Sequence, residues 1–439
     1  MAAAAARVNS PAKWALKQTP KPGIKPGFAL LIAPANSYRI SSYLKAATAL
    51  GLSVLIVSNS KHSLTPEIAQ GLTVDFSNLV RARSSILRSI VNLNIVCVIA
   101  TDDACVSLSN QIAKHLGLAH NQASAARLTH RKDLARQAAK QYGCNIPQFQ
   151  VIELQRAKQI ANSISYPVVI KPLSLSASKG VIRANSPQQL ITACDTIETI
   201  LSNTNRTGFE RNRVLIEAYI DGPEFAVDGI LINGQFHLLA IFDKPEPLTG
   251  PYFEETFYLT PTRLKQLRQS ALIDEVSRCC KAYGLEQGPI HAEARITKNG
   301  IFLIELAART IGGQCGQLIE FSLQQKLEEL IIQGLCGQQP HLPPNAQPAG
   351  VLMIPVKNSG LLKRVEGLTD AMQVEFVKDI EIHIREGYEL IPLPEGSSYL
   401  GFIFAQAPSY QQTFNALKKA HQLLNFVTEP VWRLSQKSP

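Results

Sequence analysis

Residues 288–313 read GPIHAEARITKNGIFLIELAARTIGG, and the fold turns on how this stretch pairs with itself. Two strand-like runs, His291–Ile296 and Ile301–Leu306, flank a turn at Thr297–Gly300. Each run carries one carboxylate, Glu293 and Glu305, among apolar neighbours, where an ionised group is costly unless paired or bound to a cation. Two such groups on adjacent strands repel unless positive charge lies between them. A two-residue Asn299-Gly300 turn would pair Lys298 with Ile301 and send the glutamates to opposite faces. A three-residue loop, Lys298-Asn299-Gly300 with a bulge at Gly300, pairs Thr297 with Ile301 instead. Glu293 then opposes Glu305 and His291 opposes Ala307, all on one face. A metal site requires this second register. The competing reading is an edge hairpin with two solvated glutamates.

Outward from the hairpin, the 439 residues suffice for two to four domains. Hydrophobic residues make up 45% and charged residues 18%, a globular balance, and no apolar run approaches the length of a membrane span. The net charge of +10 is unevenly placed. Eight of the 44 basic residues precede the first acid, Glu67, and without them the body is nearly neutral. A nucleic-acid surface is therefore not expected. Residues 1–27 are rich in Ala, Lys and Pro, and read as a disordered basic leader that a transit peptide would resemble. The eight cysteines show no metal-ligand spacing and read as buried free thiols in a reducing, cytoplasmic setting. Cys315, just after Gly313, falls near the hairpin without a base placed beside it.

From Phe28 onward strands and helices alternate: strands at FALLIA (28–33), SVLIVS (53–58) and IVCVIA (95–100), helices at 37–50, 79–92 and 103–116. This is a βαβ series with a parallel sheet, and the absent G-x-G-x-x-G argues against dinucleotide binding. Thr129–Gly143 reads as a helix with a solvated basic face. Strands follow at 149–152, 167–171 and 180–184. Between the last two runs a small-residue loop, Ser174–Gly180, just after Lys171, of the kind that lets backbone N–H groups reach phosphate. Strands at Val214–Tyr219 and Glu224–Ile232 carry Glu217 and Glu224. Tyr252–Thr260 (YFEETFYLT) precedes Pro261, and Arg263–Tyr283 reads as a helix with Leu264, Leu267, Ala271, Val276 and Cys279 inward. A helix is expected over Ser322–Leu335, and the Pro-rich Pro340–Pro348 reads as a linker. The remaining strands (351–356, 380–384, 389–391, 401–406) and the helix 410–424 form an α+β cap that closes a site or mediates a homodimer.

In this order Lys132, Lys171, Glu217, Glu224 and the hairpin ending in E-L-A-A-R resemble the ATP-grasp superfamily of ADP-forming carboxylate–amine ligases. The L-amino-acid ligase branch is the most similar, over roughly residues 28–430, because REGYELIPLPEGSSYLGFIFA (385–405) also resembles its terminal domain. The resemblance implies an α/β and α+β ATP-grasp fold. A Rossmann-like pre-ATP-grasp domain is expected over 28–126, an ATP-grasp domain over 127–339 with its lid at about 148–219, and a C-terminal ligase domain over 340–439. It implies ATP and Mg2+ (or Mn2+) as cofactors and a small-molecule carboxylate and amine as substrates. By the same resemblance Lys132, Lys171 and Ser178 would meet the phosphates, and Glu217 with the backbone of Ala218–Ile220 would read the adenine. Glu224 would hold the ribose, Glu293 and Glu305 the metal, and Arg309 with Lys171 the transferring phosphoryl group. Gly312 and Gly313 would let the backbone approach the intermediate, and Glu255 (or Glu254) would orient the amine. Many ATP-grasp enzymes have asparagine two residues after the second metal glutamate; here it is Ala307, with His291 across from it. The alternatives are an ATP-grasp enzyme of another kind, a carboxylase or purine-pathway ligase, and a non-catalytic ATP-binding protein.

Overall fold

The computed structural model describes residues 21–60, 70–204, 208–343, 346–396 and 398–431. Its first unit is a parallel sheet of β1 (Phe28–Ile32), β2 (Ser53–Ser58), β3 (Gln70–Thr73) and β4 (Ile95–Ala100), in the order β3-β2-β1-β4. Side chains alternate across it. Leu30, Ile32, Leu55 and Val57 pack with Ile86 and Ile112 on one face. Ala29, Leu31, Val54 and Ile56 pack with Tyr43 and Ala46 on the other. Both faces are therefore apolar, which is why these strands read as unbroken hydrophobic runs. The polar β3, QGLT, gave no such signal.

The second unit is antiparallel: β5 (Phe149–Glu153), β6 (Val168–Pro172), β7 (Ile182–Ala184) and β8 (Arg213–Ala218), ordered β5-β8-β6-β7. The unanticipated helix Pro187–Ser202 backs it, capped by Ser186, whose hydroxyl accepts from the Gln189 N–H.

The third unit opens with β9 (Glu224–Ile232), β10 (Gln235–Asp243), β11 (Phe257–Thr260), β12 (Gly288–Thr297), β13 (Gly300–Ala307) and β14 (Ala349–Ile354). The C-terminal part adds β15 (Gly360–Glu366), β16 (Val377–Ile382), β17 (Glu389–Leu390), β18 (Gly401–Gln406) and β19 (Asn425–Glu429). One eight-stranded sheet, β13-β12-β9-β10-β11-β14-β18-β16, runs continuously past the Pro340–Pro348 segment, while β17-β15-β19 form a small sheet beside it.

Several local expectations need correction. The 129–143 helix is two helices, Ala125–His130 and Lys132–Gln141, broken at Arg131 (φ −107°, ψ 102°). Its basic face is not solvated: Arg131 pairs with Asp133 (2.7 Å) and Glu210 (3.0 Å), and Arg136 is buried. Helix Gln266–Ala282 buries Leu272, Val276, Cys279 and Cys280, whereas Leu267, in its first turn, is 83% exposed. Ser322–Leu335 divides at Gln324 (φ +55°) into Gly316–Leu323 and Leu327–Leu335. All eight cysteines are free, and seven are buried. Among the described residues no helix is long and apolar enough to cross a membrane.

Candidate active site

The hairpin reaches its shared-face register by a route the turn alone does not provide. Ile296 pairs with Ile301 and Thr297 with Gly300, so the turn is the two-residue Lys298-Asn299. That pairing alone would put Glu293 and Glu305 on opposite faces. A register shift between Glu293 and Ala294 admits one extra residue, Ile304, and brings Glu293 opposite Glu305 and His291 opposite Ala307. The bulge is therefore at Ile304, not Gly300. It is held from outside: the Ile304 carbonyl accepts from Arg136 Nη2 (2.6 Å) and the Leu303 N–H donates to the Asn145 carbonyl (2.9 Å).

Pairing with β9 extends this face into rows. Asp228 opposes His291, which opposes Ala307; Ala226 opposes Glu293, which opposes Glu305; Glu224 opposes Arg295. Asp243 opposes Phe225, which brings the next residue, Lys244, beside Glu224. The reverse face carries Val227, Ala292, Ala294 and Leu306 into the core beneath helix Gln266–Ala282. The polar rows thus lie on a floor made rigid by apolar packing behind it.

Lys244 anchors the acidic part of the floor. Its ammonium lies 2.7 Å from Glu224 and 3.1 Å from Glu293, and it hydrogen-bonds Glu255. Carboxylate oxygens of Glu224, Glu255 and Glu293 lie within 4.8 Å of one another. Burial disfavours the Lys244 charge, but the three carboxylates outweigh it and raise its pKa well above the ordinary value. Burial and the charge of Glu293 push the Glu255 carboxyl up. Desolvation works against the half-buried Glu293 carboxylate, but Lys244 and His291 hold its carboxyl well below the usual range. His291 Nδ1 lies 2.7 Å from Asp228 and Nε2 3.5 Å from Glu293. Burial works against the charged ring, yet Asp228 and Glu293 raise it to about 9. Glu305 makes no hydrogen bond or ion pair among the described residues, although Arg136 and Arg309 act on it through space.

A cleft separates this floor from the β5-β8-β6-β7 sheet. Lys132, Lys171, Ser178, Glu217, Ala218 and Ile220 line it from above, and Glu224, Glu255, Glu293 and Glu305 from below. Lys171, next to last in β6, reaches Glu217 at 2.6 Å; Arg136 hydrogen-bonds the same carboxylate. Burial would raise the Glu217 pKa, but Arg136 and Lys171 lower it to about 2. Lys132 opens its helix and donates to the Leu175 carbonyl (2.6 Å). Ala177 and Ser178 both take φ of 54°, folding the loop over the cleft. The Gly180 N–H donates to the Pro394 carbonyl, linking that loop to the C-terminal part. The N–H groups of Ala218 and Tyr219 donate to Gln148 and Pro167. Val169, Val181, Leu248, Phe253 and Ile304 form an apolar slot beside them, and Tyr219 and Phe253 stack at 6.4 Å.

Four expected residues stand apart from the cleft wall. His291 is 6% exposed and does not line the cleft, although it shares the sheet face of Glu293. Arg309 is held by Asp103 of the first unit (3.0 Å). A side chain at Gly312 would lie 3.8 Å from Arg39. Gly313 has φ +59°, and a Cβ there would fall 2.8 Å from Met353 Sδ, so the position requires glycine. Cys315 is buried with its thiol pKa raised, first by burial, which leaves it unreactive.

Asp228, Lys244, Arg136 and Arg295 were not anticipated. Asp228 is the lone acid inside the apolar run FAVDGILI (225–232), the same signal that marked Glu293. Lys244 ends the run FHLLAIFDK much as Lys171 ends PVVIK.

Comparison with known proteins bears on this geometry. Residues 164–317 match the family model of the ATP-grasp domain, and residues 352–429 that of L-amino acid ligase C-terminal domain 2. An uncharacterised protein of Sinorhizobium fredii is 22% identical over 89% of this chain and 80% of its own length. Alanine–anticapsin ligase of Bacillus subtilis is 26% identical over 52% of each chain, so only about half of that relative is matched. The fold is that of the L-amino acid ligase from Bacillus licheniformis, at TM-score 0.76, 24% identity, and coverage of 92% of this chain and 100% of that one.

Proposed function

From a chain that joins an ATP-grasp domain to an L-amino acid ligase C-terminal domain, we propose an ADP-forming ligase that joins a small carboxylate to an amine through an acyl-phosphate. The observation that carries this reading is the pairing of Glu293 opposite Glu305 on the cleft floor, with Lys132 and Lys171 across from them.

The residues present suit a divalent cation. Glu293 and Glu305 offer oxygen donors of the kind Mg2+ takes. Lys244 already supplies a stand-in positive charge at Glu293, and Glu305 is without a hydrogen-bond partner among the described residues. Glu293 and Glu305 would hold the ion, which when bound neutralises phosphate charge as it shifts in phosphoryl transfer.

The chain's own residues account for the rest. The slot of Val169, Val181, Phe253 and Ile304 accepts a flat purine beside the backbone of 218–220. Glu224, fixed by Lys244 and Arg295, retains lone pairs for the ribose hydroxyls. Lys171 is aimed by Glu217 and Lys132 by Leu175, so both ammonium groups are preset for the phosphates. Ser178 in the overhanging loop adds a donor and excludes water that would hydrolyse the intermediate.

In the first step a carboxylate oxygen of the substrate attacks the γ-phosphorus and the bond to ADP breaks. In the second the amine nitrogen attacks the acyl carbon, phosphate leaves, and an amide remains. The amine must be neutral to attack. Glu255, its carboxyl pushed up by burial and by Glu293, is suited to orient an ammonium and take its proton. Arg309 and the Gly312-Gly313 backbone would steady the acyl-phosphate, Arg309 being oriented by Asp103.

We adopt an amino acid as the carboxylate and a second amino acid as the amine. A matrix of amino acids and amines with ATP and Mg2+ tests it, read by phosphate release and product mass. Amide product with stoichiometric ADP supports the proposal. ADP release with no amine incorporated anywhere in the matrix contradicts it.

A further inference from the structure

Two groups of three possible metal donors lie close together among the described residues. One, Glu224 with Glu255 and Glu293, is already filled by the Lys244 ammonium. The other is Cys144, Glu275 and Cys279, and none of these lines the cleft. Its two sulfurs and one carboxylate oxygen all fall within 4.8 Å of one another. We propose that this second group binds a thiophilic divalent cation, Zn2+ foremost, through Cys144 Sγ, Cys279 Sγ and a Glu275 oxygen. The site is separate from Glu293 and Glu305 and does not depend on the ligase reading.

Glu275 and Cys279 are one turn apart on helix Gln266–Ala282, so their side chains share a face. Cys144 comes from the segment that follows helix Lys132–Gln141. Its N–H donates to the Ala139 carbonyl (2.9 Å), and the N–H of the next residue, Asn145, donates to Glu275 Oε1 (2.7 Å). Cys279 Sγ stands 3.9 Å from that same oxygen and is in hydrogen-bond contact with Cys144. Sulfurs held tetrahedrally at ~2.3 Å from one ion are roughly 3.8 Å apart, and a sulfur and an oxygen roughly 3.5 Å. The three donors therefore need little movement to close on an ion. Two thiolates beside one carboxylate select Zn2+ over Mg2+, which prefers oxygen alone.

All three donors are buried, so the charge must balance. Two thiolates and a carboxylate carry three negative charges. Zn2+ supplies two positive ones, and Arg278, 3.3 Å from Glu275 Oε2, supplies the third. The Asn145 N–H and Arg278 steady the carboxylate from outside, as ligating carboxylates require, and leave it lone pairs for the ion. A water completes four-coordination. Binding releases the two thiol protons to solvent. The ion would fasten Cys144 to the helix beside Asn145, whose carbonyl holds the Leu303 N–H at the bulge of β13.

The test expresses the full chain in medium with Co2+ in place of Zn2+, so that the ion enters as the chain folds. The protein is purified reduced, in excess Mg2+ to fill oxygen-donor sites. The unaltered protein is expected to hold one Co2+, with a sulfur-to-cobalt charge-transfer band and the intense visible bands of a four-coordinate centre. One equivalent of Zn2+ is expected to bleach both. Cys279→Ser is expected to weaken Co2+ binding, by chelator competition, beyond the ~10–100-fold that loss of an outer partner costs. Arg278→Gln is expected to keep the spectrum with about tenfold weaker binding. Cys280→Ala, next in the chain but outside the group, is expected to change neither. An unaltered protein without the charge-transfer band overturns the inference, as does a band that survives Cys279→Ser. The first of these outcomes needs no variant, so a variant that fails to fold does not leave the inference undecided.

Discussion

Arg136→Met removes the residue that joins the two halves of the cleft. Its guanidinium hydrogen-bonds Glu217 on β8 and donates to the Ile304 carbonyl at the bulge of β13. Glu217 is 1% exposed and Arg136 4% exposed, so solvent cannot replace the lost charge. Removing one member of a buried ion pair typically costs about 3–5 kcal/mol. Lys171 remains on Glu217 and softens the loss, while the Ile304 carbonyl loses a charged donor, worth roughly 1.5–3 kcal/mol. Because these contributions overlap, a loss of about 4 kcal/mol is expected, a large part of the 5–15 kcal/mol that typically holds a domain. Urea denaturation followed by circular dichroism measures it. A cycle with Glu217→Gln separates the causes: if an underpaired carboxylate is responsible, the glutamine costs less in the Arg136→Met background than alone. Loss of the bulge contact should also weaken ADP·Mg2+ binding by calorimetry. A stability loss below about 1 kcal/mol with unchanged ADP binding would refute the view that Arg136 sets the register of the floor.

Glu217 gives a pH signature. Its carboxyl is lowered from 4.5 to about 2 in the folded chain, so its contribution is complete above the unfolded value and is lost as pH falls from about 4.5 through about 2. The contribution is on the order of 3 kcal/mol, and Glu217→Gln should flatten urea midpoints measured between pH 6 and 2.5; parallel curves would count against it. Lys244→Met leaves Glu224, Glu255 and Glu293 without their shared cation. Roughly 3 kcal/mol of stability should be lost in chelator, with a larger thermal shift on adding Mn2+ than the unaltered protein shows, and an equal shift would contradict this. Gly313→Ala forces a side chain into φ +59° against Met353 and should cost about 2 kcal/mol by denaturant titration; a neutral result would mean that the loop relaxes freely.

Much of the fold was legible because its signals are local. Strands of the parallel sheet are buried on both faces, so Ile95–Ala100 and Ser53–Ser58 stand out as apolar runs of the right length. Glu293 and Glu305 stood out as carboxylates in apolar strands, and their opposition was anticipated. The means was not, since the bulge at Ile304 is imposed by Arg136 and Asn145, residues more than 150 positions away. Arg136 itself looked like surface charge, because a helix does not reveal in its own sequence what will cover it. Arg131 broke that helix by finding Asp133 and Glu210, a tertiary choice over helix propensity. Asp228 and Lys244 carried a readable signal that gains meaning only once β9, β10 and β12 are set side by side.

The central claim is that a substrate carboxylate attacks ATP and leaves one of its oxygens on phosphate. An active carboxylate labelled with 18O in both oxygens, incubated with ATP, Mg2+ and its amine partner, tests this by mass spectrometry of the inorganic phosphate. The account predicts one 18O atom per phosphate released, in step with amide formation. Amide formed with no 18O in the phosphate would contradict it.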